Sequence, residues 1–432
     1  MYEKLGKAIE ECRAKVGVIG LGYVGLPLAV ELANAGFTVT GFEVDSKKVT
    51  SIKGKKSYIG DVKTSDVAKL VSSRKLQATT DFLKLRSQDA IIVCVPTPLR
   101  KSKDPDISYI VSATASIAKT IKKGQLIILE STTYPGTTRE LVLPMIEKNG
   151  LKCGKDVFLA FSPERVDPSN PKFNISNTPK VVGGITPKCG KLATSLYSKI
   201  TASVKYVSSP EAAEMVKLLE NTFRAVNIAL VNEVALMCDR LKLNVWEIID
   251  AAASKPFGFM PFYPGPGIGG HCIPLDPHYL SWKLKTLNFY SRFIELAGEM
   301  NSKMPEYLVT KVVDAVNARG KSIRQARILL LGMAYKKDVS DIRESPSLDV
   351  FKLLQDKKAN LYYFDPYIPN FKLEGKTFRS VKNIKSLKNY DAVVIVTNHT
   401  VIDYADVVKR ASLVIDSRNA TKGIKSGKII RL

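Results

Sequence analysis

Histidine is nearly missing from this chain: His271, His278 and His399 are the only three among 432 residues. So few histidines argue against a histidine-rich metal site, and no metal is expected. Cysteine is sparse as well. Cys12, Cys94, Cys153, Cys189, Cys238 and Cys272 are scattered without a CxxC pair, which argues against a zinc site or a disulfide framework and for reduced thiols. No apolar run reaches the length of about 18 residues that a membrane-spanning helix needs. The opening stretch MYEKLGKAIEECRAKVGVIG mixes charges into its first turns and lacks the apolar core and cleavage site of a signal peptide. A cytoplasmic protein without membrane insertion is therefore expected. Acidic residues are also short: 41 Asp and Glu face 65 Lys and Arg, a formal net charge of +24. Such a field attracts polyanions. However, the lysines are spread along the whole chain, with no basic block interleaved with aromatics. A lysine-rich solvated surface with a site for phosphorylated small molecules is the reading, and nucleic acid is not an expected partner.

What the chain does contain begins at residues 15–45, KVGVIGLGYVGLPLAVELANAGFTVTGFEVD. The pattern is strand, glycine turn, helix, strand. Gly20, Gly22 and Gly25 form GxGxxG directly after an apolar run, and Glu43 follows about 20 residues on, the context in which this motif holds a dinucleotide. Glycine lets the backbone approach a pyrophosphate, whose charge rests on the helix N-terminus. Glu43 would bond the ribose hydroxyls, which favours NAD over NADP. Further strands are expected at DAIIVCVP (89–96), QLIILEST (125–132) and VFLAFSPERVDP (157–168). Ligands of open parallel sheets lie beyond the strand C-termini, so Thr97, Pro98, Glu130, Ser131, Thr132 and Glu164 are candidate contacts.

From Pro210 the apolar period becomes helical. EAAEMVKLLENTFRAVNIALVNEVALMCDRLKL reads as one long helix, too apolar on too many faces to stand alone. Lys217 and Asn221, four residues apart, share a face of it. Spacing alone leaves open whether Lys217 is a solvated charge or points into a site. A glycine- and proline-rich loop interrupts at 255–277, after which helix is expected to resume. The last hundred residues repeat the first theme: ARILLLGMAYKKD is strand and glycine turn, ANLYYFDP a strand ending in Asp365, and DAVVIVTNH echoes DAIIVCVPT. Gly332 is not followed by GxxG, so a mononucleotide is expected there, with Lys336 and Lys337 near its phosphates. The fold class is α/β: two Rossmann-like, doubly wound parallel-sheet domains (1–209 and 321–432) joined by a central helical domain (210–320).

The loop PGPGIGGHCIPLDPHYL (264–280) carries the chemistry. Pro274 suits the first turn of a helix starting there, which would put Cys272 just before a helix N-terminus, where dipole and unpaired N–H groups lower a thiol's pKa. Asp276 falls in the same turn. A buried inert thiol is the commoner role for cysteine; it is accepted for the other five and left open for Cys272. A dinucleotide domain, a nucleotide-like domain and a reactive thiol together suggest NAD-linked oxidation of a nucleotide sugar's primary alcohol through a thioester. Two alternatives remain: a two-electron hydroxyacid-type dehydrogenase, which needs no cysteine, and a regulatory or nucleic-acid-binding module.

GLGYVGLPLA, VPTP (95–98), ESTTYPGTT (130–138), SPER (162–165), EMVKLLENTFRAVNIALVNE (214–233), GPGIGGHCIPLDP (265–277) and GMAYKKDVSDIRESPSLDV (332–350) resemble, in order, the UDP-sugar 6-dehydrogenases, over residues 15 to about 420. Within that family, GGHCIPLDPHYL with SPERVDP is most similar to the UDP-N-acetylglucosamine 6-dehydrogenase branch. UDP-glucose enzymes usually have serine where His271 stands and lysine where Leu275 stands, and UDP-N-acetylmannosamine enzymes share the histidine but differ just after the cysteine; both substrates are the alternatives within the family. The resemblance implies Cys272 as nucleophile, Lys217 and Asn221 stabilising the oxyanion, Asp276 and Thr132 holding a relay water, and Glu164 as general base for thioester hydrolysis. It implies NAD contacts from Gly20, Gly22, Tyr23, Val24, Gly25, Glu43, Pro96, Thr97, Ser131, Thr132 and Arg343. Substrate contacts are implied for Arg165, Lys217, Asn221, Tyr263, Gly267, Gly269, His271 and Lys336. A second glutamate common in UDP-glucose enzymes is replaced by Pro168, beside Asp167. The implied assembly is a homodimer through the long helix, and the implied setting is polysaccharide biosynthesis from a UDP-N-acetylhexosamine.

Overall fold

The computed structural model describes residues 1–100, 104–148, 150–167, 170, 172–270 and 273–432. By compactness they fall into two units, Met1–Glu220 with His278–Asn288, and Asn221–Pro277 with Phe289–Leu432.

The first unit is built on eight strands: β1 (Lys15–Ile19), β2 (Thr38–Phe42), β3 (Leu76–Thr79), β4 (Ala90–Val93), β5 (Leu126–Leu129), β6 (Phe158–Phe161), β7 (Lys180–Gly184) and β8 (Val204–Val207). They lie in the order β3-β2-β1-β4-β5-β6-β7-β8. The inner strands AIIV, LIIL and FLAF are buried along their whole length. Continuous apolar runs of this kind belong to sheets covered on both faces, and two hydrophobic clusters fill the two sides. The order reverses between β1 and β4, which makes that crevice the topological switch point where ligands of such sheets bind. The expected doubly wound sheet is present with one departure. β7 pairs with β6 antiparallel, Phe161 opposite Gly183, and β8 follows β7 in parallel. The last two strands therefore run against the rest.

The second unit repeats the motif. β9 (Arg327–Leu331), β10 (Asn360–Phe364), β13 (Ala392–Ile395), β14 (Val414–Asp416) and β15 (Ile429–Arg431) form an all-parallel sheet in the order β10-β9-β13-β14-β15. β11 (Asn370–Leu373) and β12 (Lys376–Arg379) form a separate antiparallel hairpin. The echo between DAVVIVTNH and DAIIVCVPT is structural. Gly20 and Gly332 both have φ of +88°. Their N–H groups donate to Phe42 and Phe364, the last residues of the neighbouring strands, at 2.8 and 2.9 Å. After each first strand a backbone N–H, of Leu21 or Met333, donates to the acid at the next strand's end, Glu43 or Asp365.

One helix, Pro210–Leu241, contributes residues to both units. The helical stretch after the glycine loop is two helices, Asp276–Lys285 and Arg292–Asn317. The first begins at Asp276, two residues later than Pro274 suggests. Asn288, with φ of +57°, lies in the break between them.

Candidate active site

The glycine turn shows three glycines meeting three demands. A Cβ on Gly20 would lie 2.6 Å from the carbonyl oxygen of Cys94, so the tight turn after β1, packed against the end of β4, admits none. A Cβ on Gly25 would lie 1.8 Å from the Gly20 oxygen, where helix Gly25–Asn34 starts against the turn. A Cβ on Gly22 would meet no atom of the described residues within 4 Å. The helix N-terminus has no side-chain cap and no acid in its first turn, which leaves its dipole available to an anion. Glu43 is buried, accepting from Leu21 N–H at 3.0 Å and from Val44 N–H at 2.9 Å, with Lys48 at 3.2 Å. An open phosphate cradle and an anchored carboxylate at the second strand's end fit a bound NAD. Tyr23 and Pro96 are exposed at the same edge, and Thr97 is buried, its carbonyl accepting from Tyr279 at 2.6 Å.

The loop after β5 carries Ser131 and half-buried Thr132. Ser131 is tied to Val93 through its N–H and hydroxyl. The rest of the loop is clamped by buried Glu214, whose carboxylate accepts from Gly136 N–H (2.6 Å), Thr138 N–H (2.9 Å) and the Thr138 hydroxyl (2.6 Å). Burial pushes the Glu214 carboxyl up to about 7 against those three donors. One turn further along the same helix, Lys217 is only 9% exposed, so the solvated-charge reading of Lys217 is wrong. Beyond β6, Glu164 accepts from Arg165 N–H (2.8 Å) and Val166 N–H (2.5 Å) on one oxygen and from Lys180 (3.2 Å) on the other. Arg165 itself is held by Glu220 and by the carbonyl of Pro179.

In the second unit, His271 and Cys272 lie outside the described residues, as does Pro168 in the first. Their neighbours are tightly built. Gly270 N–H donates to the Arg343 carbonyl at 3.1 Å, and Gly265 N–H to Asn232 at 2.9 Å. A Cβ on Gly269 would strike the Glu344 oxygen and the Tyr335 Cβ at 2.7 Å, and one on Gly267 would press on Pro346 at 3.2 Å. Glycine is required here for close packing of the loop on its own unit. Asn221 donates to the carboxylate of Asp276. Tyr263 bonds Asp250 at 2.8 Å and stacks on Trp246. The Arg343 guanidinium is paired with Asp341, and Lys336 is half-buried just past the Gly332 turn.

The sequence did not disclose the places of three polar side chains. Lys180 is buried between Glu130 and Glu164. Arg418 follows β14, its Nε donating to the Val396 carbonyl, and a Cβ on Gly265 would stand 2.5 Å from its Nη1. Burial lowers Arg418 to about 10, against the pull of Asp416; the available signal was its place after a strand C-terminus. His399 is wholly buried: Asp338 N–H donates to its Nδ1, which leaves Nε2–H for Asp365 at 3.0 Å. Cys153 and Cys189, distant in sequence, bring their sulfurs to 3.7 Å.

Three models of the UDP-glucose/GDP-mannose dehydrogenase family match the chain: its NAD binding domain over residues 14–201, its central domain over 211–303 and its UDP binding domain over 329–423. The chain is 38% identical to a UDP-N-acetyl-D-glucosamine 6-dehydrogenase of Pseudomonas aeruginosa, over 82% of this chain and 83% of that protein. It is 35% identical to a UDP-N-acetyl-D-mannosamine dehydrogenase of Methanococcus vannielii, over 94% and 92%. The solved UDP-D-ManNAc dehydrogenase of Pyrococcus horikoshii superposes with a TM-score of 0.88 at 32% identity, covering 96% of this chain and 98% of that one. With a glycine turn shaped for NAD and all three domain models matched in order, the chain belongs to the UDP-glucose/GDP-mannose dehydrogenase family and is an NAD-dependent UDP-sugar dehydrogenase.

Proposed function

We propose that this enzyme oxidises C6 of a UDP-N-acetylhexosamine, UDP-N-acetylglucosamine in the first instance, to the uronic acid in two oxidations and one hydrolysis on Cys272. The observation that carries the reading is the hydrogen bond from Asn221 to Asp276. It ties the helix of Lys217 to the segment that follows Cys272. Residues 1–209 would bind NAD, 210–320 would carry the reacting groups and the dimer contact, and 321–432 would bind UDP.

Bound at the glycine turn, NAD would accept a hydride in each oxidation. In the first, the C6 hydroxyl gives its proton to a water held by Asp276 and Thr132, leaving an aldehyde. Cys272 adds to the aldehyde carbon, and Lys217 with Asn221 stabilises the oxyanion of the thiohemiacetal; a cation shielded from water is most effective there. Loss of the second hydride leaves a thioester. Water then attacks its carbonyl, Glu164 takes the water's proton, the C–S bond breaks and the thiolate leaves. Tyr23, Val24, Pro96, Thr97, Ser131 and Arg343 would complete the NAD contacts. Arg165, Tyr263, Gly267, Gly269, His271 and Lys336 would bind the nucleotide sugar, with Arg418 as a further cation for its phosphates. Arg165 must leave Glu220 to do so. We place the enzyme in the cytoplasm as a homodimer supplying polysaccharide synthesis.

UDP-N-acetylmannosamine is the second reading, favoured by the similarity to the Methanococcus and Pyrococcus mannosamine enzymes. One comparison decides between them: NADH formed from UDP-N-acetylglucosamine, UDP-N-acetylmannosamine and UDP-glucose under equal conditions. The expected result is two NADH per sugar, with UDP-N-acetylglucosamine preferred. One NADH with free aldehyde would sink the four-electron reading. The Cys272→Ala variant is expected to make no acid.

A further inference from the structure

Lys180 has no role in the proposed mechanism, yet it is 2% exposed in the interior of the first unit. A buried ammonium persists only when paired and hydrogen-bonded. Lys180 bonds the Glu130 carboxylate and, at 3.2 Å, the Glu164 carboxylate. The reversal of strand direction brings it there. β7 runs antiparallel to β6, so Lys180, its first residue, lies at the β6 C-terminal end that leads to Glu164. In a sheet parallel throughout, the start of a strand would lie at the opposite edge.

Charged and titratable groups face Glu164 from several elements. Glu130 follows β5, and its second oxygen accepts from Tyr197 of helix Pro187–Tyr197. Lys217 contributes positive charge from the long helix. Cys94, after β4, is raised by burial and by the two glutamates, so its thiol stays neutral. Burial pushes Glu130 up to about 7, with Lys180 pulling down and Glu164 pushing up. Burial also pushes Glu164 up, but Lys180, Glu130, Val166 N–H and Lys217 together bring it below its ordinary value.

We propose that Lys180 is the positioning residue that keeps Glu164 ionised and aimed as the base for thioester hydrolysis. The inference rests on the proposed function above. A base must be deprotonated to take a proton from water, and a buried carboxylate stripped of its counter-cation takes up a proton instead. Lys180→Met should therefore raise the acidic limb of the kcat–pH profile by about one unit or more and lower kcat at pH 7 about tenfold. KM for UDP-sugar and NAD should stay within about twofold, because Lys180 is assigned no substrate contact. The acyl-enzyme on Cys272 should accumulate and be visible in the intact-protein mass, and Lys180→Arg should restore most of the rate. A folded Lys180→Met with the wild-type limb and no acyl-enzyme overturns the inference while the function stands; so does a Lys180→Arg variant as slow as Lys180→Met. Full acid production by Cys272→Ala would instead overturn the function itself.

Discussion

Gly22 and Gly25 stand three residues apart in one motif and answer different demands. At Gly25 the missing Cβ is a packing requirement, since the Gly20 oxygen occupies its place at 1.8 Å. At Gly22 no atom of the described residues competes for the space, which leaves the room that a bound pyrophosphate would need. The two alanine variants should separate accordingly. Gly25→Ala is expected to lower the melting temperature or prevent folding, because neither backbone can yield cheaply. Gly22→Ala should melt within a degree or two of the wild type and raise the Kd for NAD about tenfold or more, a loss of about 1.4 kcal/mol. Calorimetric melting and NAD titration read the two effects independently. If Gly22→Ala binds NAD normally, the cradle does not hold the pyrophosphate.

At the scale of elements, Glu214 joins the long helix to the loop after β5. Its carboxylate takes the N–H groups of Gly136 and Thr138, just where the chain enters the π-helical turn Thr137–Val142. Its acidity, pushed up to about 7 by burial, gives the clamp a pH dependence. A carboxyl whose folded pKa lies above its unfolded value near 4.5 contributes stability that is complete below 4.5 and lost as pH rises through 7. The shift corresponds to about 3 kcal/mol. Glu214→Gln cannot ionise, so its unfolding free energy, measured in denaturant from pH 5 to pH 8, should fall less than the wild type's. Parallel curves would show that Glu214 does not titrate. Elements of this kind mark the boundary of what was legible in the sequence. The glycine turn, Glu43 and the repeat in the second unit could be read, because strand, turn and acid are contiguous. The burial of Lys217 could not, because helical spacing gives a face and not what covers it. Lys180 was invisible for a stronger reason: its place depends on β7 running backwards, and strand direction is set by long-range pairing. Arg418 against Gly265 and Cys153 against Cys189 are distant in sequence in the same way.

For the whole molecule, the long helix raises the question of assembly. Leu219, Phe223, Leu230, Met237 and Leu241 are exposed at spacings of four and seven residues, which puts them along one stripe. Ala213, Leu218, Ala225, Ala229, Ala235 and Cys238 of the same helix are buried, so the apolar excess noted in the sequence divides into one face used within the chain and another left open. A large contiguous apolar stripe on a lysine-rich surface fits a second copy of the same helix better than water. Each large side chain buried there would contribute about 1.5–3 kcal/mol before the cost of association. Opposing it is charge, since each copy carries +24. Exposed charges are screened by salt while apolar contact is not, so association should tighten as salt rises from about 20 to 200 mM, the reverse of a charge-driven interface. Sedimentation at micromolar concentration should give the mass of two 47.6 kDa chains, and Leu230→Lys, which adds a charge mid-stripe, should give one. A wild type that sediments as a monomer at both salt levels, or a Leu230→Lys variant that stays dimeric, would show that this helix face is not the subunit contact.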